Sequence, residues 1–360
     1  MSRSNELLHI DVNIDENEPH RGVLDLLRTL RPQWRPQDIH MKTFTEGLTN
    51  HLLGCCVDQS DTVLVRLYGK QTELFVDRQR EVEMFQVFHA HGCGPEIYCS
   101  FQNGICYQFV EGTVLEDTLL YQPSIYRLIA AEMGRIHSIQ TKCAHPPEPF
   151  LWTKVSHFLT LLKKSAHHSP VQTLCTKSSA ASQQLPSLVT LSREAESLER
   201  HLSLVDSPTV MCHNDLLTKN IIHDHKQGRV KFIDYEYADY NYQAFDIGNH
   251  FNEFAGMEGV EDVDYSRYPS CQLQSAWLKA YLESYKHCRG QDISVTKAEV
   301  TRLYLQVCKF SLQASNFFWG LWAVLQSQCS SLDFDFHRYA TARLNRYFEK
   351  KEEYFSLSLS

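Results

Sequence analysis

The sequence predicts an α+β protein: a small β-rich lobe followed by a larger, mainly helical one. Three observations lead there. Residues 62–68 (TVLVRLY) and 105–110 (ICYQFV) are runs rich in β-branched and aromatic residues, the signature of strands. Between them, residues 73–90 set Leu74, Val82, Phe85 and Phe88 among charges at helical spacing. Beyond Gln243 the chain reads as helix after helix, near 271–288, 297–327 and 333–350.

Taken in order, residues 1–20 read as a flexible tail and 21–110 as the first lobe. Residues 111–350 form the second lobe, and 351–360 a second tail. Within the second lobe, residues 124–139 carry Ile125, Leu128, Ile129, Met133 and Ile136 on one stripe, an amphipathic helix. Residues 163–184 (KKSAHHSPVQTLCTKSSAASQQ) are rich in Ser, Thr and Gln, contain a Pro and lack periodicity. They predict a flexible insertion, with 163–190 as its outer bounds. No repeats are visible.

Composition narrows the function. The 360 residues are 43% hydrophobic and 22% charged, a globular balance. The net charge of −8 gives no basic face for a nucleic-acid backbone, so no nucleic-acid partner is expected. The longest apolar run, 317–325, is far short of the ~20 residues of a membrane span. Residues 1–17 are polar and acidic, so no secretory leader is expected either. The twelve cysteines form no CxxC pair, Cys55 and Cys56 are adjacent, and Cys106 and Cys308 sit inside apolar stretches. They read as buried free thiols in a reducing compartment, which makes the expected location cytoplasmic. The eighteen histidines show no HExxH or other metal spacing.

Residues 208–255 carry the chemistry. A short apolar strand at 210–212 ends at His213-Asn214-Asp215; Asn220 follows five residues later; a second strand at 230–233 ends at Asp234. Each polar residue alone would suit a turn. Set together at the ends of apolar strands, they are rigidly placed, as a metal–phosphate site requires. An Asp that orients an acceptor hydroxyl, with an Asn and a second Asp to hold Mg²⁺, is the arrangement of phosphoryl transfer. Catalysis is thus expected from Asp215, Asn220 and Asp234, with Asn220 and Asp234 as metal ligands.

The run HNDLLTKN at 213–220, the stretch 232–254 and NHFNEFAG at 249–256 resemble the choline/ethanolamine kinases, small-molecule kinases of protein-kinase-like fold. The resemblance spans roughly residues 38–348 and takes in FFWGLW at 317–322. It implies a bilobal protein-kinase-like fold, ATP and Mg²⁺ as cofactors, and a small amino alcohol as acceptor. For the ethanolamine members, the product would be phosphoethanolamine, at the head of the CDP-ethanolamine route to phosphatidylethanolamine.

The same resemblance implies further roles. Gly47, Leu48, Thr49 and Asn50 would form the loop over the ATP phosphates. Arg66 would take the place of the phosphate-binding Lys, with Glu81 as its ion-pair partner; an Arg fork holds phosphate as well as a Lys. Gln108 and Val110 would frame the adenine hinge. Glu236, Glu253, Trp319, Trp322 and Tyr339 would hold the acceptor's ammonium, through carboxylates and aromatic faces. Asn252 and Phe254 lean the reading toward ethanolamine, since choline kinases commonly carry Cys and Trp there. Three alternatives stay open: choline as substrate, an aminoglycoside-like antibiotic as substrate, or a kinase-like binding module without catalysis.

Overall fold

The protein was analysed as a computed structural model, which describes residues 7–44, 51–58, 61–140, 148–168, 185–256, 263–330 and 332–356. In chain order the first elements are β1 (His9–Ile10), α1 (Pro19–Leu30), β2 (His40–Phe44), β3 (His51–Cys56), β4 (Thr62–Leu67), α2 (Arg78–Ala90), β5 (Ile97–Phe101), β6 (Gly104–Gln108) and β7 (Thr113–Val114). Next come α3 (Pro123–His137), α4 (Phe150–His168), α5 (Leu188–Leu202), β8 (Thr209–Cys212), β9 (Ile221–Asp224), β10 (Arg229–Phe232) and β11 (Asp239–Tyr242). The chain continues through α6 (Gln243–Glu253), α7 (Cys271–Cys288), α8 (Lys297–Lys309), a π-helical turn over Phe310–Ser315, α9 (Asn316–Cys329) and α10 (Phe336–Phe355). Two compact units result: residues 1–113 with 222–236, and residues 114–221 with 237–360.

The first unit is built on a six-stranded sheet in the order β1-β5-β6-β4-β3-β2. Alternation along β4 sends Val63, Val65 and Leu67 into a core with Val23, Leu26, Leu27, Cys55 and Cys106, and sends Leu64 and Arg66 to the other face. Asp77 caps α2 by accepting from the amides of Gln79 and Arg80, both at 3.1 Å. The buried stripe of α2 is Glu81, Met84, Phe85 and Phe88. Helical spacing therefore puts one carboxylate in line with three apolar side chains.

Four expectations need correction here. Residues 9–20 are not a tail: β1 pairs in parallel with β5, and Ile10 and Ile14 are buried in the sheet's core. The ends of the segment read as a flexible insertion are helical, since α4 runs on through Lys163–His168 and α5 starts at Leu188; residues 169–184 lie outside the described residues. The C-terminal tail is helical to Phe355. The segment 222–236, read as part of the second lobe, groups with the first unit.

The second unit is mainly helical. In α9 every residue from Asn316 to Gln326 is buried, the mark of a helix enclosed on all sides. The helical stretch expected at 297–327 is interrupted by the π-turn, whose Ser311 lies against Gly248 of α6. A Cβ at position 248 would fall 2.8 Å from the Ser311 backbone, so glycine is required for this approach. Among the described residues, no helix is long and apolar enough to cross a membrane. Ten cysteines lie in described positions, all of them free thiols, and six are buried.

Candidate active site

In the first unit, Arg66 is the centre of an ion cluster. Its Nη1 donates to Glu81 Oε1 and to Asp234 Oδ1, each at 2.9 Å, and its Nη2 donates to Glu236. Arg66 is 3% exposed. Burial works against its charge, yet Asp234, Glu81 and Glu236 outweigh that and hold the guanidinium protonated well above its ordinary range. The expected Arg66–Glu81 pair is therefore present. Glu236, expected beside the aromatic residues of the acceptor site, belongs to this cluster instead. Asp234, at φ +66°, and Glu236 lie in the turn that follows β10, and both carboxylates meet Arg66 there.

Sequence reasoning missed Arg78. Its Nη1 donates to Glu81 (2.9 Å) and to Glu236 (3.3 Å), its Nη2 donates to the Thr72 hydroxyl, and its guanidinium stacks 4.1 Å from the Tyr68 ring centroid. The signal was available: Arg78 and Glu81 are spaced i, i+3 on a helix. Three carboxylates thus face two guanidiniums, and oxygens of Glu81, Asp234 and Glu236 lie within 4.8 Å of one another. The Asp234 side chain is 35% exposed, against 0% and 6% for the other two, so it is the one that can reach a ligand.

Near the hinge positions, the Gln108 amide donates to Glu96 O and the Phe109 amide to Thr62 O. Among the described residues the Val110 amide meets no backbone acceptor, which leaves it able to serve a ligand. Gly47, Leu48, Thr49 and Asn50 lie outside the described residues.

In the second unit, β8 delivers Asp215 through a tightly held loop. Asn214 has φ +66°, a left-handed conformation that Asn tolerates better than most residues. Every polar group of Asn214 is engaged. Its amide donates to Asp246 Oδ1 (2.7 Å), and its carbonyl accepts from Asn249 Nδ2 (3.2 Å). Its side chain donates to Tyr237 O (3.0 Å) and accepts from Asn241 Nδ2 (2.8 Å). Asn220 Nδ2 donates to the Asp215 carbonyl at 2.9 Å, which leaves Oδ1 as the atom able to meet a cation.

Asp246 also takes the His213 amide and His137 Nε2, each at 2.9 Å, and His137 Nδ1 accepts from the Tyr281 hydroxyl at 2.7 Å. Burial works to raise the Asp246 carboxyl, but His137 and the His213 amide hold it below the usual carboxylate range. Cys212 lies in the same group, where burial pushes its thiol up. With its oxygens taken by three donors, Asp246 anchors the loop.

His250 completes that support, its Nδ1 donating to Leu216 O at 3.2 Å. Burial pushes this imidazole down to about 4. Because its folded value lies below the ordinary value near 6.5, the unfolded chain binds the proton first. Stability is therefore retained above pH ~6.5 and lost as pH falls toward ~4, up to ~3 kcal/mol in all. Thermal unfolding at pH 7.5 and 5.5 should show a drop on acidification that His250→Gln reduces; an identical drop in the variant would remove His250 as the cause.

The aromatic residues form one cluster. Trp319 and Trp322 meet at 5.5 Å between centroids, Trp322 and Tyr339 at 6.5 Å, and Tyr237 joins Trp319 at 5.4 Å. Glu253 is 2% exposed and lies 3.9 Å from Arg343, a buried cation that sequence reasoning missed. Arg343 Nε and Nη2 both donate to the Tyr339 hydroxyl, at 3.0 and 2.8 Å. Burial pushes that phenol up to about 12; Glu253 and Asp215 add to the rise and Arg343 opposes it. Phe254, read as leaning toward ethanolamine, is fully buried against Tyr121, His250 and Phe251, and Asn252 is bonded to the π-turn. Neither joins the tryptophan pair directly.

A sheet-bearing unit with a buried Arg–Glu pair, and a helical unit with an Asp–Asn loop, define a phosphotransferase of protein-kinase-like fold. The chain belongs to the choline/ethanolamine kinase family, whose profile matches residues 41–348. It is 49% identical over 350 residues to ethanolamine kinase 2 of Mus musculus, covering 97% of this chain and 86% of that protein. It is 47% identical to ethanolamine kinase 2 of Homo sapiens, covering 99% and 88%. A solved ethanolamine kinase from Plasmodium vivax superposes with a TM-score of 0.78 at 25% identity, covering 95% of this chain and 93% of that one.

Proposed function

We propose that this protein transfers the γ-phosphoryl group of ATP to the hydroxyl of ethanolamine, yielding phosphoethanolamine and ADP, in the cytoplasm. One observation carries the reading. The Trp319–Trp322 pair is tied to the loop that carries Asp215: the Trp319 indole bonds Asn249, whose amide bonds the Asn214 carbonyl, and the Trp322 indole bonds Tyr237, whose carbonyl takes the Asn214 side chain. A carboxylate beside a cluster of aromatic faces suits a molecule with a hydroxyl two carbons from an ammonium. The two relatives and the solved structure named above, all ethanolamine kinases, support the choice of acceptor. The free buried thiols fit a reducing compartment.

Asp215 accepts the proton of the acceptor hydroxyl as that oxygen attacks phosphorus. Arg66, fixed by Glu81, offers its charge to the phosphates, and the Val110 amide is placed to bond adenine. The hard oxygens of Asp234 and Asn220 suit Mg²⁺, which prefers few protein ligands of this kind. Bound there, the ion would neutralise the phosphate charge. Glu236 serves the phosphate side by holding Arg66 and Arg78. The ammonium end lies on the aromatic faces, and Glu253, offset by Arg343, shapes that wall. Gly47–Asn50 is proposed to close over the phosphates, as the resemblance implies.

Replacing Trp319 or Trp322 singly with Ala should cost ~0.5–2 kcal/mol of cation–π attraction, a few-fold to some thirty-fold in kcat/KM for ethanolamine. The KM for ATP should stay as in wild type. Equal losses for both substrates would remove the tryptophans from the acceptor site.

A further inference from the structure

We infer that Asn249 is a positioning residue that ties the tryptophan wall to the loop carrying Asp215. It thereby sets where a bound acceptor's hydroxyl falls. The inference rests on the reading that Asp215 and Trp319 serve the same acceptor.

Asn249 is 1% exposed, and its one amide group faces two ways. Its Oδ1 accepts from the Trp319 indole at 2.8 Å and from the Ser315 hydroxyl at 2.7 Å. Its Nδ2 donates to the carbonyl of Asn214, the residue before Asp215. An amide supplies an acceptor and a donor together at this length of side chain; an ionised Asp lacks the donor and Leu lacks both. Its helical neighbours hold the same partner: Gly248 receives Ser311 in close contact, and Asn252 Nδ2 donates to Ser311 O (2.8 Å) and Ser315 Oγ (3.0 Å). The π-turn that these residues grip leads directly into the helix bearing Trp319. Trp322 reaches Asn214 by a second route: its indole donates to the Tyr237 hydroxyl, and Tyr237 O accepts from the Asn214 side chain. Both indoles are thus one residue removed from Asn214.

The consequence is geometric. A cation on the Trp319 face and a proton acceptor at Asp215 work together only if their separation is fixed, and a 1 Å misplacement can cost ~10²-fold in rate. An acceptor that binds but lies out of line leaves the phosphorus open to water. The oxygen attacking phosphorus then comes from water, the bond to ADP breaks as before, and inorganic phosphate is released in place of phosphoethanolamine.

The test is the ratio of phosphoethanolamine formed to ADP released, with saturating ethanolamine, in wild type, Asn249→Leu and Trp319→Phe. Asn249→Leu removes all three bonds without burying a charge. Trp319→Phe keeps a smaller aromatic face and loses the indole N–H that Asn249 accepts. Both variants should show a ratio below that of wild type and a lower kcat, with the KM for ATP retained, and Asn249→Leu should lose about 10²-fold in kcat. A partly unfolded preparation loses both products equally, so the ratio separates positioning from stability. Should Asn249→Leu not fold, Trp319→Phe carries the test alone. A wild-type ratio in the folded variants overturns the inference. Asp215→Asn is measured alongside: if it is fully active, the catalytic reading and this inference both fall; if it is inactive while the ratio holds in the other two, only this inference falls.

Discussion

Replacing Asp215 with Ala should lower kcat by roughly 10²–10⁴, the usual worth of a positioned acid–base group. The KM for ATP should move little, because the role proposed for this side chain is on the acceptor hydroxyl. The fold should survive, since the loop keeps the bonds of Asn214 to Asp246 and to Asn249. Steady-state rates with ethanolamine varied at saturating ATP check this. A variant that retains near-normal kcat would contradict the role given to Asp215.

Replacing Asp234 with Ala should cost at least about 10²-fold, the scale of losing one preorganised electrostatic stabiliser of the transferring group. Here the loss should appear as failure to bind ATP productively at ordinary Mg²⁺. The folded state should persist. Arg66 keeps Glu81 and Glu236, and two guanidiniums then face two carboxylates in place of three. Asn220→Ala should weaken activity in the same way but less completely. Titrating Mg²⁺ with each variant is the check; an Asp234→Ala protein of normal activity at ordinary Mg²⁺ would exclude it as a ligand.

The sequence made the catalytic loop readable because its polar residues interrupt apolar strands. Asp215, Asn220 and Asp234 stand out where β8 and β10 end. Arg66 and Glu81 were readable only through the resemblance, since nothing local marks an ion pair between a strand and the helix that follows it. Ile10 and Ile14 were misread as tail because β1 pairs with β5, some ninety residues away, and a strand of two residues has no periodicity of its own. Glu236 was placed with the aromatic residues because proximity in sequence to Asp234 does not say which partner will meet it; two arginines did. The π-turn adds one residue to a helical repeat and leaves the apolar pattern of 297–327 almost unchanged. Asn249 was hidden for a different reason: its three side-chain partners, Asn214, Ser315 and Trp319, all lie at least 35 residues away in sequence.

The most direct measurement of the central claim is the rate of phosphoryl transfer from ATP to ethanolamine, to choline and to an aminoglycoside, in one preparation with Mg²⁺. The proposed function predicts the highest kcat/KM for ethanolamine, with phosphoethanolamine as product. A higher kcat/KM for choline or the aminoglycoside, or ADP release that no acceptor stimulates, would contradict it.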